Sequence, residues 1–432
     1  MPLDAPDNDP AASPDFLNQL ADRLGTPFWI LDSRVIQRRI SEVQRLVHGT
    51  GFRARYAMKA NPTAHILHLM RESGIWIDAV SANECARALR AGYSGGHEPP
   101  EILFTADVLR DHWQPAIFDH GILPNLGSPG MLHQLACEGY QGPVALRINV
   151  GFGHGHVNTC DTGGPSSKHG IWWESLADIR SQAAAARTPI VMLHAHVGSG
   201  PQQAELRENL ARLGQVFAEW IPDFPDVEAI SLGGGLPWNY RKDEELDVDS
   251  LRGVLETARQ SICAAAGREI RLEIEPGRFF VTSAGTLVTR VTDVKSTQSN
   301  EKGSGTTFVM VDAGFTDLIR PAMYGSHHRM TIPARNGQPL EPLCVAGPLC
   351  ESGDVFTRGA DELLEPRDLP RPIASDLLCL HDGGAYGYAM ASQYNSIGRA
   401  PQVWIEPDGG IKLASRRETL EDLLRIETDE RL

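Results

Sequence analysis

From about residue 52, short and nearly continuous apolar runs alternate with longer stretches in which apolar residues recur at i, i+3 and i+4. The short runs are FRARYAMKA (52–60), IWIDAVS (75–81), EILFTA (101–106), ILPNLGS (122–128), VALRINV (144–150), IVMLHAHVGS (190–199), AISLGGG (229–235) and RLEIEPG (271–277). Unbroken Val, Ile and Leu is the pattern of a parallel strand covered on both faces. The spacing in AHILHLMRES, ANECARALRAG, PGMLHQLACEG, SLADIRSQAAAAR, AELRENLARLGQVFAEW and SLRGVLETARQSICAAA is that of helices with one buried face, and a weaker helix is expected near 108–118. Eight strand-then-helix units predict a (β/α)8 TIM barrel, placed at residues 33–284. After Phe279 the rhythm changes to strand-like runs separated by Gly, Pro and Asn: VTSAGTLVTRVTDV, TTFVMVDAG, PLCVAGPLC, ASDLLCLHDG and QVWIEPDGGIKLAS. They predict a C-terminal β-rich domain of sandwich or Greek-key type over 285–432, joined by residues 1–32, whose TPFWILD (26–32) reads as a further strand.

Charge removes several function classes. With 40 Lys plus Arg against 55 Asp plus Glu the formal charge is −15, and no basic stripe exists to neutralise phosphates, so no nucleic acid partner is expected. No apolar run approaches the ~20 residues of a membrane span. Residues 1–16 are acidic and Pro-rich without an apolar stretch, and are expected to be a frayed start rather than an export signal. Seven scattered cysteines fit reduced thiols in a cytoplasmic protein.

In a TIM barrel the reacting groups sit at the carboxyl ends of the strands. Here those ends carry Lys59, Asp78, Arg147, Asn149, His196, the Gly233-Gly234-Gly235 triplet, and Glu275 with Gly277 and Arg278. Lys59 is one of only six lysines and closes a buried run, where desolvation would favour a neutral, nucleophilic amine suited to a Schiff base. A lysine snorkelling to solvent is the plainer reading of that residue alone. Consecutive glycines followed by an arginine on the neighbouring strand end suit an anion. Glu275 could hold a pyridine nitrogen protonated, and His196 could lie flat against an aromatic ring, although each is also compatible with an ordinary core role.

YAMKANP, SKHGIW, HAHVGSG, LGGGLPW, EIEPGRF, CESGDVF and GAYGYAM, in that order, resemble the motifs of the fold-type III pyridoxal-phosphate decarboxylases, the ornithine/diaminopimelate decarboxylase superfamily. GFGHGHVNTCDTGGPSSKHGIWWE, FTDLIRPAMYGSHH and VAGPLCESGDVF resemble its diaminopimelate branch, and the similarity runs from about residue 20 to about 427. The resemblance implies pyridoxal 5'-phosphate as cofactor and decarboxylation of meso-2,6-diaminopimelate to L-lysine, the last step of lysine biosynthesis. It implies that Lys59 binds the cofactor covalently, that His196 stacks on its ring, that Glu275 meets the ring nitrogen, and that Ser199, Gly235, Gly277 and Arg278 hold the phosphate. It implies that Arg278, Arg320 and Tyr324 grip the distal end of the amino-acid substrate with Glu351, that Tyr386 touches cofactor and substrate, and that Cys350 is the proton donor. It further implies a homodimer in which the Cys350 segment completes the partner's site. The chain departs from the family pattern at Gly383, often Thr, at Pro237 and Trp238, where smaller residues are common, and in MASQYN.

Other readings compete. HGH (154–156) and HAH (194–196) resemble the metal pairs of barrel hydrolases, but neither lies on the first strand, where such pairs usually sit. A fold-type III racemase is disfavoured by Glu275, since alanine racemases carry arginine there. A non-catalytic partner-binding homologue is disfavoured by retention of Lys59, His196, Glu275 and Cys350. A relative acting on another carboxylated diamino acid is the nearest alternative. The paired arginines Arg278 and Arg320 favour a dicarboxylic substrate, because guanidinium groups recognise carboxylates bidentately.

Overall fold

The computed structural model describes residues 4–6, 9–110, 112–153, 162–198, 202–242, 244–301 and 303–430. The chain divides into two compact units, one of residues 38–239 and 244–280 and one of residues 1–37, 240–243 and 281–432.

The first unit is a closed parallel barrel. Its strands, Phe52–Ala57, Trp76–Ala79, Ile102–Ala106, Leu123–Leu126, Val144–Asn149, Ile190–His194, Ala229–Ser231 and Arg271–Ile274, pair in sequence order, and the last pairs back onto the first. All eight coincide with the apolar runs, because strands walled in on both faces must be apolar throughout. Leu103, Leu123, Ala145, Met192 and Ala229 form part of the packed interior. The expected helices appear as Ala64–Glu72, Ala82–Arg90, Pro129–Cys137, Leu176–Ala185, Gln203–Trp220 and Val248–Ala266. Their starts are set by caps: Ser81 Oγ accepts from Glu84 N while Glu84 Oε2 accepts from Val80 N, and Asp247 Oδ1 accepts from Ser250 N. The weak helix expected near 108–118 is reduced to one wide turn, Pro115–Asp119. At the foot of the barrel Arg55, fully buried, meets Glu273 at 2.5 Å and donates to the Pro100 carbonyl at 2.8 Å.

The second unit is a mixed sheet. Its path runs Arg367–Pro370, Leu340–Ala346, Thr307–Val311, Gly285–Ser296, Phe28–Asp32, Gln402–Ile405 and Ile411–Ser415, and Leu377–Leu380 also pairs with Gly285–Ser296. Phe28–Asp32 is therefore internal, antiparallel to Gly285–Ser296 and parallel to Gln402–Ile405. Its side chains alternate between two cores: Phe28 and Ile30 pack with Phe16, Leu17 and Leu20, whereas Trp29 packs with Leu287, Val309 and Leu380.

The start of the chain corrects the expectation of a frayed segment. Asp9 accepts from Ala11 N, and Pro14–Leu24 is a helix with Ser13 as its cap and Phe16, Leu17 and Leu20 buried. Proline at the first helical position is a start rather than a break. The departures from the family pattern also have physical partners. A Cβ on Gly383 would lie 2.6 Å from Trp29 Cζ3, so the indole occupies the space a threonine would need. Trp238 lies under the Arg39 guanidinium, 5.0 Å from the ring centroid.

Candidate active site

The carboxyl ends of the barrel strands are tied together by their backbones. Ala195 N donates to Ser231 O, Leu232 N to Glu273 O, Glu275 N to Gly233 O and Ala57 N to Pro276 O. On this frame Glu275, buried just past the eighth strand, accepts hydrogen bonds from His194 Nε2 at 2.8 Å and Ser231 Oγ at 2.7 Å. Burial alone would push Glu275 up. The charge and hydrogen bond of His194, the Ser231 hydroxyl and the charge of Arg55 outweigh it and hold the carboxyl at about 2. Asp78, on the second strand, is displaced the other way, raised by burial first and by the Glu275 charge second. Two neighbouring carboxyls are thus driven apart, one fixed as an anion and one biased toward the acid.

Lys59 follows the first strand, the hydrogen-bonded neighbour of the strand that precedes Glu275. It corrects one expectation. The strand ends at Ala57, a short turn over Met58–Ala60 carries Lys59 out of the wall, and the side chain is exposed rather than buried in the apolar run. The lysine charge instead acts on Asp78, Glu84 and His196. His196 lies two residues beyond the end of the sixth strand and is half-buried, and burial first, then Lys59 and Arg147, lower its pKa well below the ordinary value. It is a neutral ring at physiological pH. Its carbonyl accepts from Thr162 Oγ1 at 2.9 Å.

At Gly235 (φ +107°) and Gly277 the lack of a side chain lets neighbouring backbone approach closely. A Cβ would lie 2.8 Å from Gly198 O at the first and 2.8 Å from Ala57 O at the second. Arg278 follows at the start of a short turn of helix, Arg278–Val281. Ser199 and HGH (154–156) lie outside the described residues. The fifth-strand loop is stapled by Asn149, whose Oδ1 accepts from Gly151 N and Gly164 N, and by Asp107, 2.6 Å from His169 Nδ1. Burial opposes ionisation of Asp107, but the His169 hydrogen bond and the Arg147 charge keep its carboxyl below the ordinary range.

The remaining sequence-derived site residues lie in the sheet unit. Arg320, 2% exposed, donates to Ser326 Oγ at 3.0 Å, with the rings of Tyr240, Tyr324 and Tyr386 at 5.2, 5.9 and 5.7 Å from its guanidinium carbon. Tyr386 has φ +59°, a costly conformation for an aromatic residue and a mark of over-determined local structure. Gly383 N donates to Gly285 O and Gly384 N to Thr282 O, pinning the turn that imposes it. Cys350 and Glu351 are exposed on the loop after Leu340–Ala346.

Three participants escaped the sequence reading. His194 was visible within HAH, but its strand-end position does not reveal that Glu275 receives its Nε2. Ser231 carries no local mark of its role. Tyr240 is one aromatic residue in a polar stretch and becomes meaningful only once Arg320 is beside it. The hydrogen bond from His194 to Glu275 also gives that histidine a role other than metal ligation.

The buried atoms Asp78 Oδ1, His194 Nδ1 and His196 Nδ1 have no hydrogen-bond partner among the described residues. Together with an ionised glutamate, a neutral imidazole, an exposed amine and side-chain-free turns, they fit a planar, phosphorylated heteroaromatic aldehyde. Residues 33–282 match the family model described as the pyridoxal binding domain of pyridoxal-dependent decarboxylases. Diaminopimelate decarboxylase of Escherichia coli (strain K12) is 42% identical over 417 residues, covering 95% of this chain and 96% of that protein. A crystal structure of a diaminopimelate decarboxylase superposes with TM-score 0.87 at 40% identity, covering 96% of both chains. The Helicobacter pylori diaminopimelate decarboxylase, solved in complex with L-lysine, superposes with TM-score 0.81 at 27% identity over 95% of this chain and 98% of that one. The chain belongs to the diaminopimelate decarboxylase family of pyridoxal-dependent decarboxylases.

Proposed function

We propose that the chain decarboxylates meso-2,6-diaminopimelate to L-lysine and carbon dioxide with pyridoxal 5'-phosphate as cofactor, the last step of lysine biosynthesis. The observation that carries the reading is the exposed Lys59 amine on the turn after the first strand, whose neighbour, the eighth, leads into Glu275, a carboxylate that His194 and Ser231 keep ionised. The L-lysine bound to the Helicobacter pylori relative supports the product assignment.

Lys59 would anchor the cofactor covalently, with Ser199, Gly235, Gly277 and Arg278 on its phosphate, His196 against its ring and Glu275 at its ring nitrogen. When bound, the cofactor supplies a conjugated electron sink for the bonding pair left behind by the departing carboxylate. Glu275 contributes a fixed negative charge that keeps a facing nitrogen protonated, and needs no reorganisation because its hydrogen bonds are already made. His196, neutral, presents an uncharged face. Arg278 and Arg320 grip the distal carboxylate, Glu351 takes the distal ammonium, and Tyr324 and Tyr386 border the substrate. An acid would be wanted in place of the arginines for a substrate ending in an ammonium alone. Cys350 Sγ delivers the proton to the carbon that has lost its carboxylate.

The same reading assigns cofactor binding to residues 33–284 and has residues 1–32 and 285–432 contribute to the dimer active site. The working unit is a cytoplasmic homodimer in which the Cys350 loop serves the partner's site. The exposure of Cys350, Glu351 and Tyr394, the neighbour of the Asn395 that meets Cys350 N, supports a covered surface there.

Mass spectrometry of borohydride-reduced protein, followed by CO2 release across a panel of diamino acids, tests the proposal. The label is expected on Lys59 and release from meso-diaminopimelate. A label on another side chain, or release from ornithine or lysine but not meso-diaminopimelate, would overturn it.

A further inference from the structure

The loop that bears Cys350 is held from two directions. Asp354 is buried; its Oδ2 accepts from Leu349 N at 2.8 Å and its Oδ1 from Phe315 N at 2.7 Å. Gly314 and Gly347 make room for that carboxylate, since a Cβ on either would press on Asp354 Oδ2. The loop also closes on itself, with Gly347 N donating to Asp354 O and Asp354 N to Glu351 O. From the other side Asn395 Oδ1 accepts from Cys350 N at 3.1 Å. Asn395 sits in the left-handed region (φ +56°, ψ +22°), which asparagine tolerates better than most residues. Its neighbour Tyr394 stacks on Phe315 with ring centroids 5.6 Å apart. Phe315 thus touches both clamps, through its backbone and through its ring. Two consecutive amides, those of residues 349 and 350, are fixed by side chains from separate segments.

We propose that Asn395 is a positioning residue for Cys350, its amide oxygen fixing the backbone from which the thiol is aimed. The inference rests on the reading of Cys350 as proton donor. A thiol must reach a carbon within a narrow range of distance and direction, and its Cα–Cβ bond direction is set by the peptide planes on either side. The acceptor on Cys350 N holds one of these planes.

The test uses full-length, cofactor-loaded enzyme carrying Asn395→Gly, which removes the acceptor while allowing the left-handed backbone, and Asn395→Asp, which keeps an acceptor oxygen. Hydrogen exchange of the peptide spanning 345–356 is expected to show one faster amide in the Gly variant and restored protection in the Asp variant. kcat is expected to fall about 10- to 100-fold in the Gly variant, the scale of a small misplacement of a reacting group, with KM within about twofold and recovery of most of the loss by Asp. In a Cys350→Ala background Asn395→Gly should add no further loss. Additive losses, an unprotected Cys350 amide in the parent enzyme, or an unchanged kcat in Asn395→Gly would overturn the proposal while leaving Cys350 as donor. An unchanged kcat in Cys350→Ala would instead remove the donor reading, and the proposal with it.

Discussion

Replacing Glu275 by Gln tests whether charge, rather than hydrogen bonding, is what this position contributes. The substitution keeps the shape and one acceptor oxygen for His194 or Ser231, and removes the negative charge. Holding the carboxyl at about 2 instead of its ordinary 4.5 favours the ionised form by about 3 kcal/mol, roughly two orders of magnitude in proton affinity. If the protonation of a facing pyridine nitrogen depends on that charge, kcat should fall about 100-fold or more with KM changed by less than about threefold. Stability follows with a defined sign. Because the folded-state pKa is depressed, the contribution of Glu275 is fully present above 4.5 and is lost as pH falls through about 2, so thermal melts at pH 7 should show the Gln variant less stable. The deficit should stay below about 3 kcal/mol, since removing the charge relieves the repulsion on Asp78. Steady-state CO2 release at pH 7 and melts at the same pH are sufficient. A Gln variant with kcat within threefold of the parent would refute the electrostatic argument.

Asp317 is raised to about 7, by burial first and by Asp312 and Asp354 against the opposing Arg417 charge and the Gly314 N–H, so it destabilises the fold increasingly as pH rises from 3.8 to about 7. Asp317→Asn should therefore raise stability by up to about 4 kcal/mol at pH 8 and by little at pH 4, and an equal gain in Tm at both would count against it. Arg55→Met leaves Glu273 buried beside Arg271 alone and should cost about 3–5 kcal/mol, with the Arg55→Met/Glu273→Met double variant regaining at least half of that in urea melts; a double variant as unstable as the single would be contrary evidence. Gly383→Thr should destabilise the chain, and should do so by about 1 kcal/mol less when Trp29→Leu opens the space, so strictly additive melting shifts would exclude the steric account.

The barrel was legible because a parallel sheet walled in on both faces leaves long apolar runs, and the eight strands fall on the eight runs. The rim was legible for the related reason that polar residues at the ends of such runs need an explanation. What failed was geometric. The apolar run around Lys59 did not reveal that the strand stops at Ala57, and the prolines near the start concealed the helix Pro14–Leu24. The network around Glu275 joins residues 44 and 81 positions apart, and the Arg320–Tyr240 contact joins separate stretches, so neither leaves a local periodic trace. Ion pairing and side-chain hydrogen bonding depend on tertiary proximity, which residue order encodes only indirectly.

Phe28–Asp32 is an inner strand whose flanks come from Gly285–Ser296 and Gln402–Ile405. At about 5–20 residues per second of translation, its parallel mate leaves the ribosome roughly 20–75 s after it does. Until Gly285–Ser296 emerges, FWILD is an unmated β segment on a nascent polypeptide, a natural client for a holdase, and it stays half-mated until Gln402–Ile405 follows. A fragment beginning at Val281 would lack the strand that joins the Gln402–Ile405 and Ile411–Ser415 pair to the rest of the sheet, and residues 1–37, supplied separately, carry it. Such split-protein complementation would turn the order of synthesis into a controllable variable.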